Sequence, residues 1–119
     1  MFAGVVESME QNNLEVDYEK LFADIRTCID VAHQDGSIKD VVMADIPRFF
    51  HKDPDLGAML HKLRSSGKRL FLLTNSYPTY TKAVMTYLLG DQPGYDDWRQ
   101  YFDVIITGAK KPSLSLIHI

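Results

Sequence analysis

The chain is poor in the residues that would make it anything but an ordinary folded protein. Its 119 residues include one cysteine, Cys28, so no internal disulfide can close and a reducing compartment suits it. Five prolines and seven glycines are scattered rather than gathered into a linker. No apolar run approaches the roughly 18 residues that span a bilayer. An excess of basic charge is missing too: 13 Lys and Arg face 16 Asp and Glu, a net charge of −3 with neutral histidines. Nucleic acids and membrane surfaces are anionic, so neither is an expected partner. The first residues lack the basic flank and apolar core of a signal peptide, with Glu7 and Glu10 where that core would run. A cytosolic location is the expectation. What is present is 45% hydrophobic and 11% aromatic residues, enough to offset chain entropy and exclude a disordered chain. The length is below that of a typical domain of about 150 residues, so it is one small domain or part of a larger one.

Periodicity divides the chain in two. Residues 2–10 suit a short helix that Asn12 and Asn13 break. Tyr18, Leu21, Phe22, Ile25, Ile29 and Ala32 fall at helical spacings, with Asp17 as the N-cap and Gly36 as the stop. Arg26, Asp30 and His33 lie on the other side, and Arg26 and Asp30 are four apart and able to pair. Cys28 sits beside the stripe and reads as a small core residue. Ser37 is expected to cap a helix over 38–50, which Pro47 can interrupt. Asp53 as N-cap and Pro54 as first helical residue open the next helix, which Leu56, Met59, Leu60 and Leu63 stripe and Gly67 ends.

Leu70 to Leu73 are four consecutive apolar residues, the pattern of a strand buried on both faces. A helix follows over about 78–89 with Pro78 in its first turn. Then come a loop, a helical turn carrying Trp98, and a second buried-type strand, Val104-Ile105-Ile106. Two apolar strands separated by a helix-length crossover are expected to pair in parallel. The second half thus reads as part of a doubly wound α/β sheet, and the first half as helical.

Ligands bind open parallel sheets at the carboxyl ends of their strands. Those ends are Thr74-Asn75-Ser76 and Thr107-Gly108-Ala109-Lys110-Lys111-Pro112. A hydroxyl and backbone N–H groups before a helix can cradle a phosphate, and a lysine on the next strand end can add positive charge. The same residues serve equally as an ordinary helix cap and two solvated lysines.

Taken together, the words Leu-Phe-Leu-Leu-Thr-Asn-Ser, Val-Met-Thr-Tyr-Leu, Trp-Arg-Gln-Tyr-Phe-Asp-Val-Ile-Ile and Lys-Lys-Pro resemble the cytosolic purine 5′-nucleotidase family, a branch of the haloacid dehalogenase superfamily. The resemblance runs from about Leu21 to Pro112. Asp24-Ile25-Arg26, Asp30, His33 and Gly36-Ser37-Ile38-Lys39 resemble the helix and turn that face the nucleotide in that family. It implies an α/β fold: part of a haloacid-dehalogenase-like (Rossmann-like) parallel sheet over 53–112, with an N-terminal helical segment over 1–52. It also implies hydrolysis of purine nucleoside monophosphates through an aspartyl-phosphate, magnesium as cofactor, and a parent enzyme that can be homo-oligomeric. Thr74 and Lys111 carry the catalytic roles on this view. Asn75 and Ser76 lie beside the phosphate, and Arg26, Asp30 and Lys39 contact the nucleotide.

Two parts of that chemistry are missing. The only Asp-x-Asp, Asp53-Pro54-Asp55, opens a helix instead of ending an apolar strand, and N-capping explains it. No acidic residue follows Pro112 to hold magnesium, so this chain carries no metal ligands. The expectation is an internal piece of an enzyme, inactive by itself, with Met1 an internal methionine. Residues 113–119, Ser-Leu-Ser-Leu-Ile-His-Ile, resemble a translated adapter or frameshifted sequence and are expected to be non-native. The competing reading is a non-catalytic nucleotide-binding or interaction protein of the same fold. His33, His51, His61 and His118 show no metal-ligand spacing. Part of the apolar stripe within residues 1–50 is expected to be exposed.

Overall fold

The computed structural model describes residues 1–110. The chain forms two compact units, Met1–Val41 and the part from Val42 onward. The first is a pair of helices, α1 (Phe2–Gln11) and α2 (Tyr18–Gln34). Asn13 adopts a left-handed φ of 55° after α1. The N–H of Asn13 bonds to Glu10 O and that of Leu14 to Met9 O, which satisfies the last carbonyls of the helix. The Asp17 carboxylate accepts from Lys20 N at 3.0 Å and caps α2. Phe2 and Phe22 meet edge to face at 5.8 Å. Neither helix has a fully buried residue, and Tyr18, Phe22, Ile29 and Val31 are exposed.

Three expectations in this unit are corrected. The ion pair on α2 is Lys20 with Asp24, at 2.7 Å, rather than Arg26 with Asp30. Cys28 is exposed, because only α1 packs against α2 within this unit and the flank carrying Cys28 stays uncovered. Ser37 is not a helix cap: its hydroxyl and its N–H both donate to the Asp35 carboxylate. Those bonds, the side-chain one first, hold the Asp35 carboxyl below the usual carboxylate range.

The expected helix over 38–50 is two short helices, α3 (Lys39–Ala44) and α4 (Ile46–Phe49), broken at Asp45. Pro47 has no N–H and its ring would collide with the carbonyl four residues back, so a helix running through it must kink or break, and here it breaks. α5 (Leu56–Ser65) starts two residues later than Asp53-Pro54 suggests. Asp53 caps a preceding turn, its carboxylate accepting from Asp55 N at 2.8 Å. Gly67, at φ 83°, ends α5. Lys68 N bonds to Leu63 O and Gly67 N to Arg64 O, the paired bonds of a left-handed helix stop.

β1 (Phe71–Leu73) and β2 (Val104–Ile106) form a parallel pair in which Phe71 faces Val104 and Leu73 faces Ile106. The crossover between them is α6 (Pro78–Leu89) and a 3₁₀ turn, Trp98–Tyr101, capped by the Asp97 carboxylate on Arg99 N. This is an α/β arrangement, rich in helix. Its core is Leu89, Trp98 and Tyr101, against which Leu72 and Ile105 pack. Burial pushes the Tyr101 phenol above the ordinary tyrosine range, with Tyr95 adding to the shift. Arg64 donates to Tyr101 O at 2.9 Å and lies 3.5 Å from Asp103, whose carboxylate accepts from Leu70 N. That cluster ties the start of both strands to α5.

The strands are not buried on both faces as their unbroken apolar runs suggest. Phe71 is 70% exposed and Val104 51%. Alternation sends Leu72 and Ile105 to the core and Phe71 and Val104 to the other face. No helix among the described residues is long and apolar enough to cross a membrane.

Candidate functional site

The site is built where the two strands end. Past β1 the ladder continues for one more bond, Thr74 N to Ile106 O at 2.9 Å. The chain after β2 then folds back on the chain after β1. Ala109 N donates to Thr74 O at 3.0 Å, and Gly108 N to Ser76 O at 2.9 Å. The Thr74 hydroxyl oxygen accepts from Ser76 N at 3.1 Å. That bond shapes the turn and occupies one of the backbone donors expected to serve a phosphate. It leaves the Thr74 O–H proton available to a ligand. Pro78 opens α6 immediately after, placing the positive end of the helix dipole beside the turn.

Thr74, Asn75 and Ser76 are therefore brought together with residues 107–110. Thr74 and Ser76 are half-buried and Asn75 is exposed. Lys110 is exposed. Lys111, and with it the expected convergence of Lys111 on Thr74, lies outside the described residues, as does the expected tail over 113–119. In the first unit, Arg26 and Asp30 border a hollow of about 360 Å³ floored by Phe2, Phe22, Ile25 and Ile29. Lys39 is the first residue of α3 and half-buried.

The described residues contain no group of three His, Cys, Asp or Glu side chains able to hold a metal ion. The magnesium implied by the family resemblance finds no ligand set in them. His61 has a packing role: Nδ1 lies 2.9 Å from the Tyr95 hydroxyl, and Tyr95 stacks on Tyr101.

One residue of the site escaped the sequence reading. A cavity of about 290 Å³ opens beside Thr74 and Ser76, walled by Phe50, Leu72, Tyr80 and Thr81. Thr81 is 6% exposed and its hydroxyl has no hydrogen-bond partner among the described residues. The available signal was a polar residue at the head of the Thr81, Val84, Met85, Leu88 stripe on α6. A buried hydroxyl without a partner costs desolvation and returns nothing. Thr81→Val is expected to leave stability unchanged or raise it by up to about 1 kcal/mol in urea unfolding. A loss above that size would mean that the hydroxyl is bonded in solution.

Parallel strands joined through a helix, with a hydroxyl turn at their carboxyl ends, define an α/β protein. The sequence pattern of the 5′ nucleotidase family matches residues 1–115, and the chain belongs to that family. It is also 37% identical over 115 residues to a 5′-nucleotidase domain-containing protein of Dictyostelium discoideum. That alignment covers 95% of this chain and 20% of the relative, so the chain spans about a fifth of the relative's length.

Proposed function

We propose that this chain is the phosphate- and nucleotide-holding segment of a 5′-nucleotidase that hydrolyses purine nucleoside monophosphates to nucleoside and phosphate. Family membership supports the reaction class. The observation that carries the local assignment is the pair of bonds from Ala109 N to Thr74 O and Gly108 N to Ser76 O, which join the two strand ends into one edge. The sheet is then part of a haloacid-dehalogenase-like core. The Thr74 hydroxyl donates to a phosphate oxygen, Asn75 and Ser76 border it, and Lys111 supplies positive charge. Arg26, Asp30 and Lys39 contact the nucleotide.

The covalent step needs an aspartate carboxylate that attacks phosphorus and expels the nucleoside oxygen, which takes up a proton. Water then cleaves the acyl phosphate and restores the carboxylate. Asp53 and Asp55 sit at the start of α5, where Asp53 serves as a turn cap, so this carboxylate belongs to a segment beyond this one. Thr74 and its neighbours can hold a phosphate, but without a nucleophile that holding gives no turnover.

The test is phosphate release from inosine or guanosine monophosphate with magnesium present. The full-length protein containing this segment is expected to turn over and the 119-residue chain is not. Turnover by the 119-residue chain that Thr74→Ala abolishes would require a nucleophile within it. Nucleotide binding by the full-length protein without turnover would favour a non-catalytic nucleotide-binding protein of the same fold.

A further inference from the structure

We propose that the cavity between β1 and α6 is a socket for another segment of the full-length protein. That segment sets an apolar side chain against Leu72, Val84 and Met85 and brings a hydrogen-bonding group to the Thr81 hydroxyl. The proposal stands whether or not the strand ends hold a phosphate.

Thr81 is the first observation. It lies in the first turns of α6, and its backbone N–H donates to Tyr77 O at 3.0 Å. A threonine hydroxyl inside a helix commonly donates to that same carbonyl, four residues back. Here it does not, and it has no other partner among the described residues. The side chain is 6% exposed, so water does not solvate it from outside. Buried hydroxyls in folded proteins are nearly always bonded, because an unbonded one costs desolvation. A hydroxyl that leaves its local acceptor unused is set for a partner that comes from elsewhere.

The second observation is the space beside it. The cavity holds about 290 Å³, and Phe50, Leu72, Val84 and Met85 make its walls apolar. Protein interiors are packed at crystal density, and a gap of this size is far larger than their ordinary voids. Water is a poor filling, since an ordered water needs two to four polar partners. The nearest backbone groups are engaged: Thr74 O accepts from Ala109 N, Ser76 O from Gly108 N, and Ser76 N donates to the Thr74 hydroxyl. An anionic nucleotide is poorly matched to apolar walls. Further chain is the occupant that fits. The alignment to the Dictyostelium relative covers 20% of that protein, which leaves four-fifths of it outside the matched part. A side chain inserted from such a segment fills the space, and its backbone or a polar neighbour supplies the missing bond.

The experiment is hydrogen exchange of the full-length protein without nucleotide, followed peptide by peptide. Valine keeps the shape of threonine and removes only the hydroxyl. Thr81→Val is neutral in the 119-residue chain, where nothing described meets that hydroxyl. In the full-length protein it leaves the segment's polar group buried and unpaired. Exchange is expected to quicken by about 5- to 100-fold in α6 and in a peptide outside residues 1–119. Thr81→Ser keeps the hydroxyl and is expected to stay within about threefold of the unsubstituted protein. Three results overturn the proposal: no change with Thr81→Val, a change confined to residues 1–119, or a Thr81→Ser effect as large as that of Thr81→Val. Protection of α6 that falls on dilution assigns the socket to a second copy and also overturns it.

If Thr81→Val does not fold, the unsubstituted full-length protein supplies the test. Met85 is half-buried and lines the cavity. Its sulfur is expected to be oxidised by peroxide at least about tenfold more slowly in the native protein than in the urea-unfolded one. A smaller protection overturns the proposal.

Discussion

Thr74→Val in the full-length protein is expected to cut kcat for nucleoside monophosphate hydrolysis by about 10²- to 10³-fold, the scale of losing one aimed donor to a reacting oxyanion. Valine keeps the shape of threonine and removes the hydroxyl. It removes two things at once, the O–H proton available to a phosphate and the oxygen that accepts from Ser76 N. Thr74→Ser restores both and is expected to stay within about tenfold of the unsubstituted enzyme. Steady-state phosphate release decides it. A Thr74→Val loss below about threefold would place the phosphate elsewhere.

The second large effect is on stability. Tyr101→Ala is expected to destabilise the unit that begins at Val42 by about 3 to 5 kcal/mol. Tyr101 is 1% exposed, its ring stacks on Tyr95 at 3.8 Å, and it packs in one cluster with Leu89 and Trp98. A small unit commonly has only about 5 to 15 kcal/mol of stability in all, so this one change consumes a large share. Trp98, the only tryptophan, reports unfolding in urea by fluorescence. Phe71→Ala provides the contrast: at 70% exposure the loss is expected to be under about 0.5 kcal/mol. Equal effects of the two substitutions would mean that the exposed sheet face is covered in solution and that the core is not where Tyr101 sits.

Helix ends were legible because their causes are local. Asp17 caps α2 through its own carboxylate, Gly67 ends α5 at positive φ, and Pro78 opens α6. Each is decided within four residues of chain. Parallel pairing of Phe71–Leu73 with Val104–Ile106 was legible for a different reason. Two apolar runs separated by a helix leave few other ways to meet. The break at Asp45 was half legible: Pro47 was a recognised obstacle, but whether the helix kinks or ends depends on what packs around it.

By itself, then, the sequence determined the α/β order of elements, the helix stops, and the strand-end residues Thr74, Asn75 and Ser76 that carry the family likeness. These follow from side-chain chemistry acting over one or two turns, or from the words themselves. Only the tertiary structure decided which faces are covered. An unbroken apolar strand says that both faces can be buried, and the layers beside it say which one is: Leu72 packs on the core while Phe71 faces out. The same reason left Cys28 exposed beside an apolar stripe. The hydrogen bonds from residues 108 and 109 to a turn more than thirty positions earlier were likewise invisible, since that long-range coupling is written in no local pattern.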